Sequence, residues 1–256
     1  MLASVDGEIL PVTEARIPVT DEGRLLGDGV FEVDRIYDGR PFALDDHLTR
    51  LASSAERARL PVDHDALRED IVALLAAGRP HDAVLRLVCT RGGRRLALLE
   101  PPKEFPDTIA LASVTFSPTR VLDGIKSLSY CGNMLSTRLA QESGADEALL
   151  VTPHGRVLEA PTSSFFYVRD GQLLTPPLSD HILDSITRRR VLEVTSAQER
   201  ETAADDLRLV EEAFLASTLK EVLPVHAIDD AWLDAPGPVT REVGAALEQR
   251  IAAELA

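Results

Sequence analysis

Cysteine, basic charge and long apolar runs are all scarce in this chain of 256 residues. Two cysteines, Cys89 and Cys131, are too few for a disulfide scaffold and lack the paired spacing of a zinc site, so no metal is expected. No stretch approaches the roughly 18 consecutive apolar residues of a membrane span. The opening residues Met1 to Asp6 lack the basic-then-apolar pattern of a signal peptide. Basic residues number 27 against 42 acidic ones, a formal net charge of −15. A polyanion-binding protein needs a basic face to neutralise phosphates, and the basic clusters here, Arg94-Arg95 and Arg188-Arg189-Arg190, are short. Neither nucleic acid nor membrane is an expected partner, and a cytoplasmic location with reduced thiols is the expectation.

What the chain does contain is a 45% apolar fraction, enough for a real core, over a length that suits one large domain or two modest ones. Residues up to about 45 read as strands and turns. The run Val30 to Tyr37 leads into Asp38-Gly39, a hairpin turn pair. The period then changes: Leu48, Leu51, Ala52 and Ala55 recur at helical spacing behind Asp45-Asp46, and a second helix starts near Asp63 and stops near Gly78. Strands are predicted over 83–90, 96–99 and 108–116, so this half is an α+β unit ending near 117. Beyond it come a helix around Met134 to Leu139, strands over 147–151, 164–168 and 172–174, and a helix capped by Ser185. Further strands are expected near Phe214 and Val222, with a final helix from Gly237-Pro238. The expected division is an N-terminal domain 1–117, a linker 118–124 and a C-terminal domain 125–256. A cleft between two such halves is a usual place for a ligand.

Lysine occurs three times, at Lys103, Lys126 and Lys220. Lys103 lies in a Pro-rich charged loop, and Lys220 beside Glu221 suits an ordinary surface ion pair. Lys126 has only apolar and hydroxyl neighbours, from Ile125 to Tyr130. Partial desolvation there would lower its pKa and free the amine as a nucleophile, although a lysine whose tip snorkels to water fits the same text. Glu159 precedes the hydroxyl run Thr162-Ser163-Ser164, which suits either a carboxylate facing a cationic nitrogen or a plain polar loop. Ser185-Ile186-Thr187 opens a helix, either as a phosphate site or as a simple cap. Ser217-Thr218 ends a strand with two more hydroxyls, and Arg50 on the first helix is a candidate phosphate partner.

Taken in order, these residues carry a resemblance. Gly27-Asp28-Gly29-Val30-Phe31-Glu32, His47-Leu48-Thr49-Arg50-Leu51, Ile125-Lys126-Ser127-Leu128, Asp146 to Leu150, Gly155 to Glu159, Ile182 to Arg188 and Phe214 to Pro224 closely resemble the fold-type IV pyridoxal-phosphate enzymes. These are the class IV aminotransferases, which include D-amino acid transaminases, branched-chain aminotransferases, (R)-amine transaminases and aminodeoxychorismate lyase. The resemblance implies a two-domain fold, a small N-terminal α+β domain and a larger C-terminal α/β barrel-like domain, with pyridoxal 5'-phosphate as cofactor. It matches Lys126 to the lysine that forms the internal Schiff base and Glu159 to the glutamate facing the pyridine nitrogen. Arg50, Ile186, Thr187 and Thr218 match the phosphate cup, Leu183 the leucine under the ring, and Tyr130 a tyrosine near the phenolic oxygen. Ser163, Ser164 and Ser217 stand beside these as further cofactor contacts.

The resemblance also implies a homodimer with sites near the subunit interface, acting on small amino donors and 2-oxo acids. A D-amino acid or (R)-amine transaminase of ping-pong type reads best, with aminodeoxychorismate lyase second and a branched-chain L-aminotransferase third. Ala160, Ser164 and Ser185 depart from the usual Gly, Asn and Gly. The loop after Arg91 lacks the Arg-x-His pair that holds a substrate carboxylate in D-amino acid transaminases, and Phe31 replaces a tyrosine. Arg24, Arg91 and Arg94 are the substitutes to consider for that carboxylate.

Overall fold

The first hydrophobic alternation folds as two hairpins on one sheet. The computed structural model describes residues 1–256. In it, β1 (Leu2–Val5) and β2 (Glu8–Pro11) join through Asp6-Gly7, and β3 (Gly29–Tyr37) and β4 (Arg40–Pro41) through Asp38-Gly39. All four turn residues have positive φ, as two-residue hairpin loops of this kind require. Between the hairpins lies α1 (Glu22–Leu26), capped by Asp21. The change of period produces α2 (Leu44–Arg57), with Asp45 and Asp46 in its first turn, and α3 (His64–Gly78), whose cap Asp63 accepts the Ala66 N–H at 3.0 Å. Strands β5 (Ala83–Thr90) and β6 (Arg95–Glu100) complete an antiparallel sheet in the order β2-β1-β6-β5-β3-β4. Leu51 and Ala55 of α2 and Leu67, Ile71 and Leu74 of α3 bury against Val30, Ile36, Leu85 and Leu87. Each such leucine or isoleucine removed from water contributes about 1.5–3 kcal/mol. Cys89 lies in the same core, and burial pushes its thiol up to about 12, so it is no nucleophile.

The second sheet gathers β7 (Ile109–Thr115), β8 (Glu147–Val151), β9 (Ser164–Arg169), β10 (Gln172–Thr175), β11 (Gln198–Glu199), β12 (Glu212–Ser217), β13 (Glu221–Ile228) and β14 (Ala231–Trp232). Its order is β11-β10-β9-β12-β13-β7-β8, with β14 on β13. The pairs β7–β8, β7–β13 and β10–β11 are parallel, and α4 (Cys131–Glu142) is the crossover from β7 to β8. The remaining helices are α5 (Ile186–Val194) and α6 (Pro238–Leu255). Residues Ser164 to Val168 are buried without alternation, as befits a strand covered on both faces. Phe165 and Tyr167 face one core cluster, while Phe166 stacks on Phe214 with centroids 5.0 Å apart. No helix is long and apolar enough to cross a membrane.

The chain divides into two compact units, but not at 117 and 125. Phe105–Gly124 lies in the second unit with Cys131–Glu254, and Ile125–Tyr130 lies in the first with Met1–Glu104. Two pairings are the cause. β7 hydrogen-bonds in parallel to β8 and β13, and residues 125–130 add to the open edge of β3.

Glu212 is a buried carboxylate that caps α6. It accepts the N–H groups of Val239 and Thr240 and the Thr240 hydroxyl, at 3.1, 2.8 and 2.8 Å. Gly237 has an ordinary negative φ of −74°, so space rather than backbone freedom demands glycine here: a Cβ would collide with the Glu212 carboxyl group. Gly237→Ala is expected to eject the cap and lower stability by about 1–3 kcal/mol, read as a lower denaturant midpoint.

Candidate active site

Main-chain pairing places Lys126. The Phe31 N–H donates to the Lys126 carbonyl at 3.0 Å, and the Leu128 N–H to the Gly29 carbonyl at 2.8 Å. The Lys126 N–H donates to Ser54 Oγ on α2 at 3.2 Å, and Ile125 packs into the first core. This strap sets the Lys126 Nζ 4.5 Å from the Phe31 ring centroid and 5.8 Å from that of Tyr130. The two rings meet edge to face at 5.1 Å. Aromatic faces attract the ammonium and carry no proton acceptor of their own.

The opposite face of β3 carries acids. Period 2 turns Glu32 and Asp34 toward α2, on the side of Val30 and Ile36. Glu32 is fully buried and accepts Arg50 Nε and Nη2, both at 2.7 Å, and His47 Nδ1 at 2.9 Å. His47 and Arg50, three residues apart, share one helix face. Burial would raise the Glu32 carboxyl, but the hydrogen bonds from Arg50 and His47 outweigh it and hold the group at about 2. Burial lowers His47 despite that bond, so its ring is neutral, and raises Asp34 well above the usual range.

In the second unit, Leu158 and Glu159 pair with Leu150 of β8 through main-chain hydrogen bonds at 2.9 and 3.0 Å. The Glu159 Oε1 accepts the Leu183 N–H at 3.0 Å, which ties together two residues that the resemblance matches to the pyridine ring of one cofactor. The register Ala216↔Ser164 brings the start of β9 beside the end of β12, so Ser163, Ser164, Ser217 and Thr218 gather at one end of these two central strands. There Ser164 Oγ is buried with no hydrogen-bond partner. Ile186 and Thr187 are buried in the first turn of α5, behind the cap Ser185, and α5 packs on β12.

The three candidate carboxylate arginines are placed differently. Arg91 forms a two-point pair with Asp28 at 3.0 and 3.2 Å and also reaches the main chain of Ala58. Arg94 pairs with Asp6. Arg24, exposed on α1, reaches the Val19 carbonyl at 3.4 Å. Sequence reasoning assigned no role to Glu32 or His47, although both sit inside its matched segments. It set Lys220 beside Glu221 at the surface, whereas the Lys220 side chain is 6% exposed and its ammonium lies on Glu147.

The family model described as "Amino-transferase class IV" matches residues 29–228, from the first residue of β3 to the last of β13. The chain belongs to the class IV aminotransferases. It is 31% identical to a D-alanine aminotransferase of Bacillus licheniformis, over 98% of this chain and 97% of that one. Its fold resembles the branched-chain aminotransferase of Thermoproteus uzoniensis crystallised with norvaline, with a TM-score of 0.91, 26% identity and coverage of 99% and 95%. It also resembles a hypothetical aminotransferase from Mycobacterium tuberculosis in its PLP-bound form, with a TM-score of 0.89, 25% identity and coverage of 99% and 100%. The mixed α/β architecture is therefore that of the fold-type IV transaminases.

Class IV aminotransferases use pyridoxal phosphate, and the donors found here suit it. A lysine amine lies on aromatic rings, a carboxylate is fixed by a main-chain N–H, and an unpartnered buried hydroxyl stands with further hydroxyls at the ends of two central strands. A helix start supplies N–H groups suited to a phosphate. When bound, the cofactor supplies a ring that stabilises negative charge on the substrate carbon beside the transferred nitrogen.

Proposed function

We propose that this class IV aminotransferase moves the amino group of a D-amino acid, and of related (R)-primary amines, to a 2-oxo acid in a ping-pong cycle. The observation that carries the reading is the Lys126 amine held over Phe31 and Tyr130 by a main-chain strap. The D-alanine aminotransferase likeness, which spans nearly both chains, favours D-configured donors. In this reading Lys126 Nζ takes the proton from the substrate carbon that bears the nitrogen and returns it, as base and then acid. Glu159 holds a proton on the ring nitrogen. Arg50, Ile186, Thr187, Ser217 and Thr218 hold the phosphate, Leu183 supports the ring, and Tyr130, Ser163 and Ser164 complete the contacts. With Arg91 and Arg94 committed to Asp28 and Asp6, Arg24 is the arginine assigned to the substrate carboxylate. A cytoplasmic homodimer completes the proposal, and light scattering tests the dimer.

The branched-chain L-aminotransferase reading is the second one, favoured by the likeness to the Thermoproteus uzoniensis enzyme. The experiment is a spectrophotometric titration of the holoenzyme with D-alanine, L-leucine and (R)-1-phenylethylamine. D-Alanine is expected to bleach the visible band, near roughly 400 nm, with formation of pyruvate, and a 2-oxo acid to restore it. A response to L-leucine alone would replace the first reading by the second. Consumption of aminodeoxychorismate with no response to any amino acid or amine would overturn both.

A further inference from the structure

Lys220 makes contacts in the second unit that the proposed chemistry does not use. Its side chain is 6% exposed, and an ammonium, which is strongly hydrated in water, persists at such depth only with close partners. Three are present. The Nζ donates to Glu147 Oε2, to Ser163 Oγ at 2.9 Å and to Thr162 Oγ1 at 3.5 Å. Thr162 in turn reaches the other Glu147 oxygen at 3.4 Å. The Lys220 main-chain N–H donates to Ser217 Oγ at 3.3 Å, which closes the turn between β12 and β13. The Phe105 ring lies 5.9 Å from the ammonium.

Two separate segments, the first residue of β8 and the loop 160–163, thus converge on a charge carried by a third, the turn 217–220. The loop follows Glu159 directly and leads into Ser164, and the turn carries Thr218. Main-chain pairing holds Glu159 and Ser164 on either side of the loop, but inside it the Ala160↔Ser163 bridge is an isolated one. Cross-links from the loop to the turn and to β8 come from Lys220 and Glu147.

We propose that Lys220 and Glu147 are positioning residues, whose ion pair fixes the loop after Glu159 against the Ser217–Thr218 turn before the cofactor arrives. The inference rests on the assignment of Glu159 and Thr218 to the cofactor. It concerns preorganisation: hydroxyls and a carboxylate already held in place lose less freedom when a ligand binds.

The test compares Lys220→Met, Glu147→Gln and the double variant with the parent, measuring pyridoxal phosphate affinity of the apo chain by absorbance titration and the melting temperature of the apo chain. Each single variant leaves one buried group without its partner, so both measurements are expected to fall, with affinity at least tenfold weaker. The double variant removes both charges. It is expected to recover most of the melting temperature while binding at least fivefold more weakly than the parent, a split that loss of stability alone does not produce. A double variant with less than a fivefold loss of affinity overturns the proposal, and it decides the matter even where Lys220→Met fails to fold. Lys126→Ala is measured alongside. Retention of its visible band would overturn the site assignment itself, whereas its loss together with near-parental affinity in the double variant overturns the brace alone.

Discussion

Lys126→Ala is expected to lower the transamination rate on the order of 10⁴-fold and to remove the visible band of the bound cofactor. The size follows from the amount of chemistry assigned to one amine: attachment of the cofactor, removal of a proton from carbon, and its return. The fold is expected to survive. The strap is held by the Lys126 N–H on Ser54 Oγ and by its carbonyl on the Phe31 N–H, and neither bond uses the side chain. A single-turnover measurement with D-alanine, paired with a melting curve, checks both halves. Parental rates, or an intact visible band, would remove Lys126 from the chemistry.

Glu32→Ala is expected to cost about 3–5 kcal/mol of stability, the range for breaking a buried ion pair by removing one partner. Arg50 and His47 would lose their common acceptor beneath β3. The same carboxylate predicts an acid limit. Its pKa falls from 4.5 to about 2 on folding, so its contribution is full above pH 4.5 and is lost as the pH falls through about 2. That shift corresponds to about 3 kcal/mol. Denaturant curves of parent and Glu32→Ala should therefore differ most near neutral pH and converge toward pH 2. A constant difference across that range would assign the stabilisation to packing instead.

Local signals in the sequence were sufficient for local structure. The Asp63 cap, the helical spacing around Leu51 and the Asp38-Gly39 turn each act within a few residues, and the corresponding elements stand where they were expected. Membership of β7 in the second sheet was not legible, because its partners β8 and β13 lie far along the chain. The same holds for side chains. Lys126 stood out because its immediate neighbours are uncharged. Lys220 was set beside adjacent Glu221, while the carboxylate under its ammonium belongs to Glu147, which only the sheet brings near. Arg91 and Arg94 looked available for a substrate until folding placed Asp28 and Asp6 against them. The pairing of His47 and Arg50 on one helix face could be read from their spacing, but their shared acceptor could not.

The strap at residues 125–130 bears on biosynthesis. The first 104 residues can form their sheet as they leave the ribosome, but the Gly29 carbonyl and the Phe31 N–H must wait for Leu128 and Lys126 to be made. The chain enters the second unit, comes back for six residues and leaves again, so neither unit can be excised or exchanged with a relative by a single cut. A fragment ending before residue 125 would lack Lys126 and would also present an unsealed strand edge, the kind of surface that recruits other chains.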